Sequence, residues 1–361
     1  MQTYLPWLDL LRFVACVMVI VNHVNPFERA DRIGHNGVGL FFSISGFLIG
    51  SILMNARGKP QWMSRFYANR FLRIYPALLM ALAFFGILLA AGFNSRTEMW
   101  DNFKGNIVYY LTFTAQLSPN SGDPFGIVWT LCVEEYFYLL LPIAFWLFGP
   151  RGTAVGLVVL IALTAEPRFH VLPWSENFGI WFILPVNLLS GAVLATLRPT
   201  VRDGFPWVGV LGLVVVLANA STGYFEPFGP VMGIVTTLTV WSFAVTRLDL
   251  PWSLRPMALA GKWSYGIYLL HLPVCSASLA VCRKLGLSES VPVPYFTAAA
   301  VLATIWTAAL AGIMYRLVEK PILASRPWVN DRPWARTLVA TLQVSLIPVG
   351  IVYWLAMGGW K

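Results

Sequence analysis

The strongest constraint in this sequence is the grouping of its apolar residues into long runs separated by short polar stretches. Of its 361 residues, 58% are hydrophobic and only 11% are charged, whereas a soluble domain is about a quarter charged. A helix needs about 20 apolar residues to cross a bilayer. The pattern therefore predicts an all-α fold, a polytopic transmembrane helical bundle of about ten or eleven spans.

Eleven candidate spans can be placed in what we predict to be one transmembrane domain over residues 1–361. The fifth and seventh are short for a bilayer about 30 Å thick, and the last is a candidate addition to the core. The segment 106–113 is apolar but too short to cross. It is predicted to be a buried or interfacial part of the long polar loop 94–126, which would face outward as a lid or acceptor-binding rim. The candidate spans are residues 8–24, 38–54, 74–93, 127–148, 153–165, 178–197, 207–220, 228–246, 263–281, 296–317 and 338–357.

The positions of the basic residues predict the orientation of the bundle. With the N-terminus in the cytoplasm, sixteen Lys and Arg residues fall in inner loops and eight in outer loops or the tail. This excess follows the positive-inside rule. It also accounts for most of the net charge of +9, so we expect no nucleic acid partner. The prediction is a multi-pass protein of the bacterial inner (cytoplasmic) membrane with the lipid bilayer as its surroundings.

The four cysteines indicate neither a disulfide framework nor a metal site. Cys16, Cys132, Cys275 and Cys282 all lie in apolar segments, and no Cys-x-x-Cys or Cys/His ligand spacing is present. Buried free thiols are the expected state. We predict no metal ligands and no permanently bound cofactor.

The first candidate span carries Arg12 and, eleven residues later, His23. Eleven helical steps return to roughly the same face about 16 Å further along the axis. Ionisable groups are costly in hydrocarbon and usually line a functional cavity. A neutral imidazole there is predicted to act as a general base, and a histidine hydrogen-bonded to a neighbouring helix is the alternative.

The fourth candidate span contains two adjacent carboxylates, Glu134 and Glu135. They lie about 100° apart on a helix, so both cannot face one cavity squarely. Glu134 shares a face with Tyr138 and lies at about the depth of His23, where a carboxylate could orient the imidazole. A structural ion pair with an arginine is the alternative.

The stretch 65–76 is predicted to be a cytoplasmic loop with Arg70 and Arg73 spaced by three residues. One helical turn would point both guanidiniums the same way, and paired guanidiniums suit phosphate groups. Ordinary cytoplasmic anchoring by arginine is the alternative.

Two further motifs have ordinary packing explanations. Small residues at 39, 43 and 46 permit close helix packing, and His271, in the ninth candidate span, is expected to be a packed, hydrogen-bonded histidine.

Five motifs in order resemble the acyltransferase-3 family of integral membrane acyltransferases, and the resemblance covers residues 8–321. One departure is Gly39, where many relatives have a polar residue. Some relatives also continue into a periplasmic SGNH hydrolase-like domain, whereas we expect this chain to contain only the membrane domain. The motifs are Arg-x10-His at 12–23, Gly-Val-x-x-Phe-Phe-x-x-Ser-Gly-Phe at 37–47, Arg-x-x-Arg at 70–73, Trp-Thr-Leu-x-x-Glu-Glu-x-Phe-Tyr at 129–138 and Tyr-Gly-x-Tyr-Leu-x-His at 265–271.

The resemblance implies transfer of an acyl group, with acetyl as the family's usual group, from cytoplasmic acyl-CoA to a hydroxyl of an extracytoplasmic glycan or lipid-linked sugar. His23, supported by Glu134, would carry the transfer, either as a general base or as an acylated intermediate. A second group of residues would bind the donor or acceptor: Arg12, Ser45, Arg70, Arg73, Tyr138 and His271.

Two other classes of protein compete with this prediction. A transporter or exporter would suit the composition equally well, although no inverted repeat is visible. A non-catalytic subunit of a glycan-assembly complex would tolerate loss of His23. The sequence leaves open whether the chain forms a homo-oligomer.

Overall fold

The computed structural model describes residues 5–25, 28–92, 97–118, 125–164, 185–197 and 206–358. Within these ranges the regular structure is helical and contains no strand, which confirms the all-α prediction. Short 3-10 turns at Ala115–Leu117 and Trp252–Leu254 and a π-helical turn at Tyr315–Glu319 join some of the helices. In chain order the helices are α1 (Pro6–Val24), α2 (Glu28–Ala56), α3 (Trp62–Ala90), α4 (Thr97–Leu111), α5 (Val128–Thr164), α6 (Val186–Thr196), α7 (Trp207–Thr222), α8 (Pro230–Val245), α9 (Arg255–Gly261), α10 (Ser264–Lys284), α11 (Pro292–Met314), α12 (Lys320–Ala324), α13 (Arg326–Asp331) and α14 (Pro333–Ala356).

The chain divides into two compact units. The first comprises Met1–Asn55 and Ile143–Ala311, and the second comprises Ala56–Pro142 and Gly312–Lys361. The boundary between residues 142 and 143 falls inside α5, and the boundary between residues 311 and 312 falls inside α11.

The first unit depends on close approach between helix backbones. A Cβ at Gly46 of α2 would overlap the carbonyl oxygen of Leu188 in α6, and one at Gly191 would overlap the carbonyl oxygen of Ser43. The packing explanation of the small residues at 43 and 46 is therefore confirmed. Similarly, a Cβ at Gly261 of α9 would overlap the carbonyl oxygen of Asp9 in α1. Small residues let helices associate in lipid, where no hydrophobic force drives them together.

Buried hydroxyl and amide groups add specificity to the same helices. Ser43 and Thr236 share a hydrogen bond of 2.7 Å, and the amide nitrogen of Asn187 donates to the Thr236 hydroxyl at 3.0 Å. Interhelical hydrogen bonds of this kind contribute about 0.6 kcal/mol each in a membrane. Because each hydrogen bond contributes so little free energy, their main effect is to fix the register in which α2, α6 and α8 pack.

The second unit is built around α3. This helix packs against α4, α12, α13 and α14, and the hydroxyl of Tyr67 donates to the carbonyl oxygen of Leu139 in α5 at 2.8 Å. On α5, the buried carboxylate of Glu135 accepts a hydrogen bond from Gln343 of α14. These contacts hold the N-terminal half of α3 against α5 and the C-terminal helices.

The helices that match the predicted spans fall into two groups by length. Across the described part of the chain, seven helices are long and apolar enough to cross a membrane. The segments predicted near α6, α7 and α8 form shorter apolar helices of 11, 16 and 16 residues. The fourth and fifth candidate spans are the two helical parts of α5, which are separated by a kink at Gly149, where the backbone leaves helical geometry. The φ of Gly149 is 68°, in the left-handed region that favours glycine.

Two predicted loops contain helices. Residues 65–76 lie within α3 and form no cytoplasmic loop, because the run of aromatic and aliphatic residues between the arginines continues the helix. The predicted loop 94–126 contains α4, and the burial of Asn106, Tyr110 and Phe113 agrees with the prediction that 106–113 is a buried part of this loop. The part of the sixth candidate span before residue 185 lies outside the described residues.

Candidate active site

Arg12 of α1 is paired within its own helix. Its Nη1 lies 2.7 Å from Oδ1 of Asp9, one turn earlier, and Asp9 is buried. Sequence reasoning did not use Asp9. The i, i+3 spacing places the two groups on neighbouring positions of one face, so the cation is balanced where it is partly buried.

His23, near the other end of α1, lies against His271 of α10. The two ring centroids are 4.8 Å apart with an interplanar angle of 49°. His23 is exposed, whereas His271 is only 1% exposed. The packing of α1 on α10 therefore joins two histidines that the sequence analysis treated separately.

The hydrogen bonding of His271 determines its tautomer. Its Nδ1 lies 2.6 Å from the carbonyl oxygen of Tyr268. Since a carbonyl oxygen only accepts, Nδ1 carries the hydrogen and Nε2 of the neutral ring carries a lone pair. This Nε2 is buried and makes no hydrogen bond to any residue that the structure describes. The prediction that His271 is packed and hydrogen-bonded agrees with this geometry.

Ser45 and Gly39 lie on α2. Ser45 is half-buried, and its assignment to substrate binding stays a prediction. A Cβ at Gly39 would lie 3.0 Å from the amide nitrogen of Asn187. The polar Asn187 side chain thus occupies the space beside the glycine.

In the second unit, Arg70, Tyr138 and Glu134 form one contiguous group. The Tyr138 hydroxyl donates to Oε2 of Glu134 at 2.8 Å, as expected for two residues that share a helix face. The guanidinium of Arg70 lies 5.7 Å from the ring centroid of Tyr138 and 5.8 Å from that of Phe66. Arg70 also interacts electrostatically with both Glu134 and Glu135.

Glu135 points elsewhere, toward Gln343 of α14. The two adjacent carboxylates therefore take different partners, which is the consequence of their separation of about 100° on the helix. Because Glu134 and His23 belong to different units, their predicted pairing stays a prediction.

Arg73 pairs with a carboxylate that sequence reasoning missed. Its Nη1 lies 3.6 Å from Oε2 of Glu319, which is 2% exposed. One helical turn before Arg73 on α3, the backbone oxygen of Asn69 accepts a hydrogen bond from Arg326 at 3.2 Å. The sequence offered one usable signal for Glu319, which is an acidic residue directly after an apolar segment. No residue spacing, however, links Glu319 or Arg326 to α3.

Comparison with known proteins identifies the chain. A family model described as an acyltransferase domain matches residues 5–312. The chain belongs to the acyltransferase-3 family. This membership favours an enzyme over an exporter. Together with the apolar helices, it makes the chain a multi-pass bacterial membrane protein.

Several curated members of the acyltransferase-3 family resemble this chain. Peptidoglycan O-acetyltransferase OatA of Listeria monocytogenes is 27% identical over 365 residues, covering 89% of this chain and 56% of the relative. O-acetyltransferase OatA of Staphylococcus aureus is 26% identical, covering 88% and 57%. A putative peptidoglycan O-acetyltransferase, YrhL of Bacillus subtilis, is 28% identical, covering 88% and 55%. The chain thus spans a little over half the length of these relatives, and no solved structure matches it.

Proposed function

We propose that this chain is a membrane O-acetyltransferase that moves an acetyl group from cytoplasmic acyl-CoA to a sugar hydroxyl of a cell-wall glycan. The observation that carries the proposal is the histidine pair: His23 is exposed and lies 4.8 Å from the buried His271. Relatives named as peptidoglycan O-acetyltransferases support peptidoglycan as the acceptor class.

The donor would be bound at two places along its length. Arg70 and Arg73 would hold its phosphate groups, because each guanidinium presents donors in a fork that matches phosphate geometry. The thioester would lie at His23, and Arg12 would help to position it.

The reaction can be written in a direct form. The imidazole of His23 removes the proton of the acceptor hydroxyl as the oxygen attacks the thioester carbonyl. The C–O bond forms, the C–S bond breaks, and the imidazolium returns the proton to the departing thiolate. In the relayed form, an imidazole nitrogen attacks the thioester carbonyl, the C–S bond breaks, and CoA leaves as its thiol with the ring proton. The acceptor oxygen then attacks the acetyl group, the C–N bond breaks, and the hydroxyl proton returns to the imidazole.

Glu134 would orient the imidazole in either form. Its carboxylate is itself held by the Tyr138 hydroxyl at 2.8 Å, so its rotamer is restricted before any substrate binds. A fixed carboxylate beside an imidazole holds the ring in one tautomer and stabilises the imidazolium.

The first test is a transfer assay on the purified chain. With radiolabelled acetyl-CoA and soluble peptidoglycan fragments in detergent, we expect label in the fragments without any ion gradient. Gradient-dependent uptake into vesicles with no labelled fragment would contradict the enzyme and favour a transporter.

The sidedness of the reaction needs sealed membranes. In inside-out vesicles, whose cytoplasmic face is outward, we expect added acetyl-CoA to support transfer to fragments trapped inside. Right-side-out vesicles should require the donor inside. The opposite requirement would overturn the predicted orientation while leaving the enzyme class intact.

His271 is expected to act as a positioning residue for His23. When His23 accepts a proton, the imidazolium gains an N–H that the lone pair on Nε2 of His271 can accept after a small ring rotation. An acceptor that is unused in the resting state and used in the charged state favours the transition state over the ground state. His271→Phe keeps an aromatic ring but removes the lone pair, so kcat should fall by about 10- to 100-fold with an unchanged KM for acetyl-CoA.

Steady-state kinetics across pH would check this role. His271→Gln keeps an acceptor and should recover part of the loss, and the acidic limb of the pH–rate profile should move in the Phe variant. If His271→Phe keeps the kcat of the parent chain, His271 serves only in packing and the positioning role is wrong.

A further inference from the structure

The chain between α11 and α14 folds back onto the arginine-bearing turn of α3. It begins with the π-helical turn Tyr315–Glu319, a feature that is rare in helices and frequent at functional sites. Glu319 ends that turn and faces Arg73. The two short helices that follow, α12 and α13, both pack against α3.

Three hydrogen bonds fix the position of α13. Arg326 donates through Nη2 to the backbone oxygen of Asn69 at 3.2 Å. The side chain of Asn330 donates to Oδ1 of Asn69 at 3.0 Å, and Arg336 donates through Nη1 to the backbone oxygen of Asn330 at 2.6 Å. Arg326 is thereby held beside the residue that immediately precedes Arg70.

The result is a cluster of three guanidiniums and three carboxylates. Arg326 experiences the charges of both Arg70 and Arg73, while Glu319 pairs with Arg73 and the carboxylates of Glu134 and Glu135 act on Arg70. The carboxylates therefore act on Arg70 and Arg73, whereas Arg326 experiences the two neighbouring guanidiniums. Because like charges repel, a bound anion would relieve the repulsion at Arg326.

The hydrogen-bonding capacity of the three arginines is largely unused. Within the described ranges, Arg70 makes no hydrogen bond and has a buried Nε. The pair of Arg73 and Glu319 is a 3.6 Å contact without a hydrogen bond. Toward the residues that the structure describes, Arg326 uses only one of its five N–H donors, on Asn69. All three side chains are half-buried, so they combine open donors with partial shielding from water.

We propose that Arg326 is a third phosphate-binding residue, which completes with Arg70 and Arg73 a site for a ligand that carries more than one phosphate group. Three guanidinium forks exceed the needs of a single phosphate and suit the nucleoside diphosphate part of acyl-CoA. This inference rests on the proposed function, because it takes acyl-CoA as the donor.

The test compares donors with and without the nucleotide. The chain of 361 residues in lipid nanodiscs would be titrated with acetyl-CoA and with S-acetylpantetheine, which has the thioester arm but lacks the nucleotide. Arg326→Gln should weaken acetyl-CoA binding by about tenfold, equivalent to about 1.4 kcal/mol, and leave the affinity for S-acetylpantetheine unchanged. Arg326→Lys, which keeps the charge, should lose less.

Two matched variants separate phosphate binding from helix anchoring. Asn330→Ala removes a tether between α13 and α3 without changing a charge. Arg332→Gln removes an exposed arginine of the same segment that stacks on Trp328 at 4.4 Å. Both should bind acetyl-CoA within about twofold of the parent.

The remaining outcomes overturn the proposal in distinguishable ways. If Arg326→Gln binds acetyl-CoA like the parent, or loses affinity equally for both donors, Arg326 is a structural anchor of α13 and not a phosphate-binding residue. The same conclusion follows if Asn330→Ala loses as much affinity for acetyl-CoA as Arg326→Gln does. If the parent chain binds neither donor, the proposed function itself fails.

Discussion

Replacing His23 with alanine should abolish acetyl transfer while leaving donor binding nearly intact. The imidazole is the group proposed to move the acceptor proton, and a positioned general base contributes about 10²- to 10⁴-fold to a rate. His23 is exposed, so its truncation leaves no core cavity. We expect a fall in kcat of at least about 10³-fold with a dissociation constant for acetyl-CoA within about threefold of the parent.

The matched control for this change is His35→Ala. His35 is also exposed and lies on α2, where its ring contacts Phe228 edge-on. It has no role in the proposed chemistry and should retain parent-level transfer. Transfer by His23→Ala at the parent rate would show that the catalytic assignment is wrong.

The same variants decide between the two forms of the reaction. If the acetyl group passes through His23, incubating the parent chain with acetyl-CoA and no acceptor should leave an acetylated peptide that contains His23 in a mass spectrum. That adduct should be absent from His23→Ala. If the adduct forms fast enough to account for turnover, the direct form is excluded.

Removing the two arginines of α3 should have the second largest effect, on donor binding. Hydrogen bonds to charged groups contribute about 1.5–3 kcal/mol each, so losing both arginines should weaken acetyl-CoA binding by at least about 10²-fold. Isothermal titration of Arg70→Ala/Arg73→Ala against the parent would measure this loss. S-acetylpantetheine should bind both proteins equally.

The ion pair of Arg73 requires an additional variant. Truncating Arg73 leaves Glu319 buried without its partner, and an uncompensated buried charge costs about 3–5 kcal/mol. Adding Glu319→Gln should restore thermal stability without restoring donor affinity. If it restores both, Arg73 acts through folding and not through the donor.

Arg65 provides the matched control on the same helix. It is exposed near the beginning of α3, and Arg65→Ala removes one positive charge at that end. Its affinity for acetyl-CoA should stay close to that of the parent. A loss as large as that of the double variant would indicate general electrostatic attraction in place of a defined phosphate site.

Local features of the site were predictable from the sequence. The hydrogen bond between Glu134 and Tyr138 follows from their spacing of four residues on one helix, and the different directions of Glu134 and Glu135 follow from helical rotation. The helical state of residues 65–76 was missed because the arginines among them were interpreted as the polar content of a loop. Proline gave no reliable boundary either, since Pro76 lies inside α3.

The sequence by itself determined that the chain is a helical membrane protein, where most of its apolar helices lie, and which residues share a helix face. Hydropathy and helical periodicity are properties of neighbouring residues, so they can be calculated without knowing the packing. Only the tertiary structure decided that His23 meets His271, that Arg73 meets Glu319, and that Arg326 lies beside Asn69, 257 positions away. Such contacts depend on which helices pack together and in which register, and that is set by close backbone approaches such as Gly46 on Leu188.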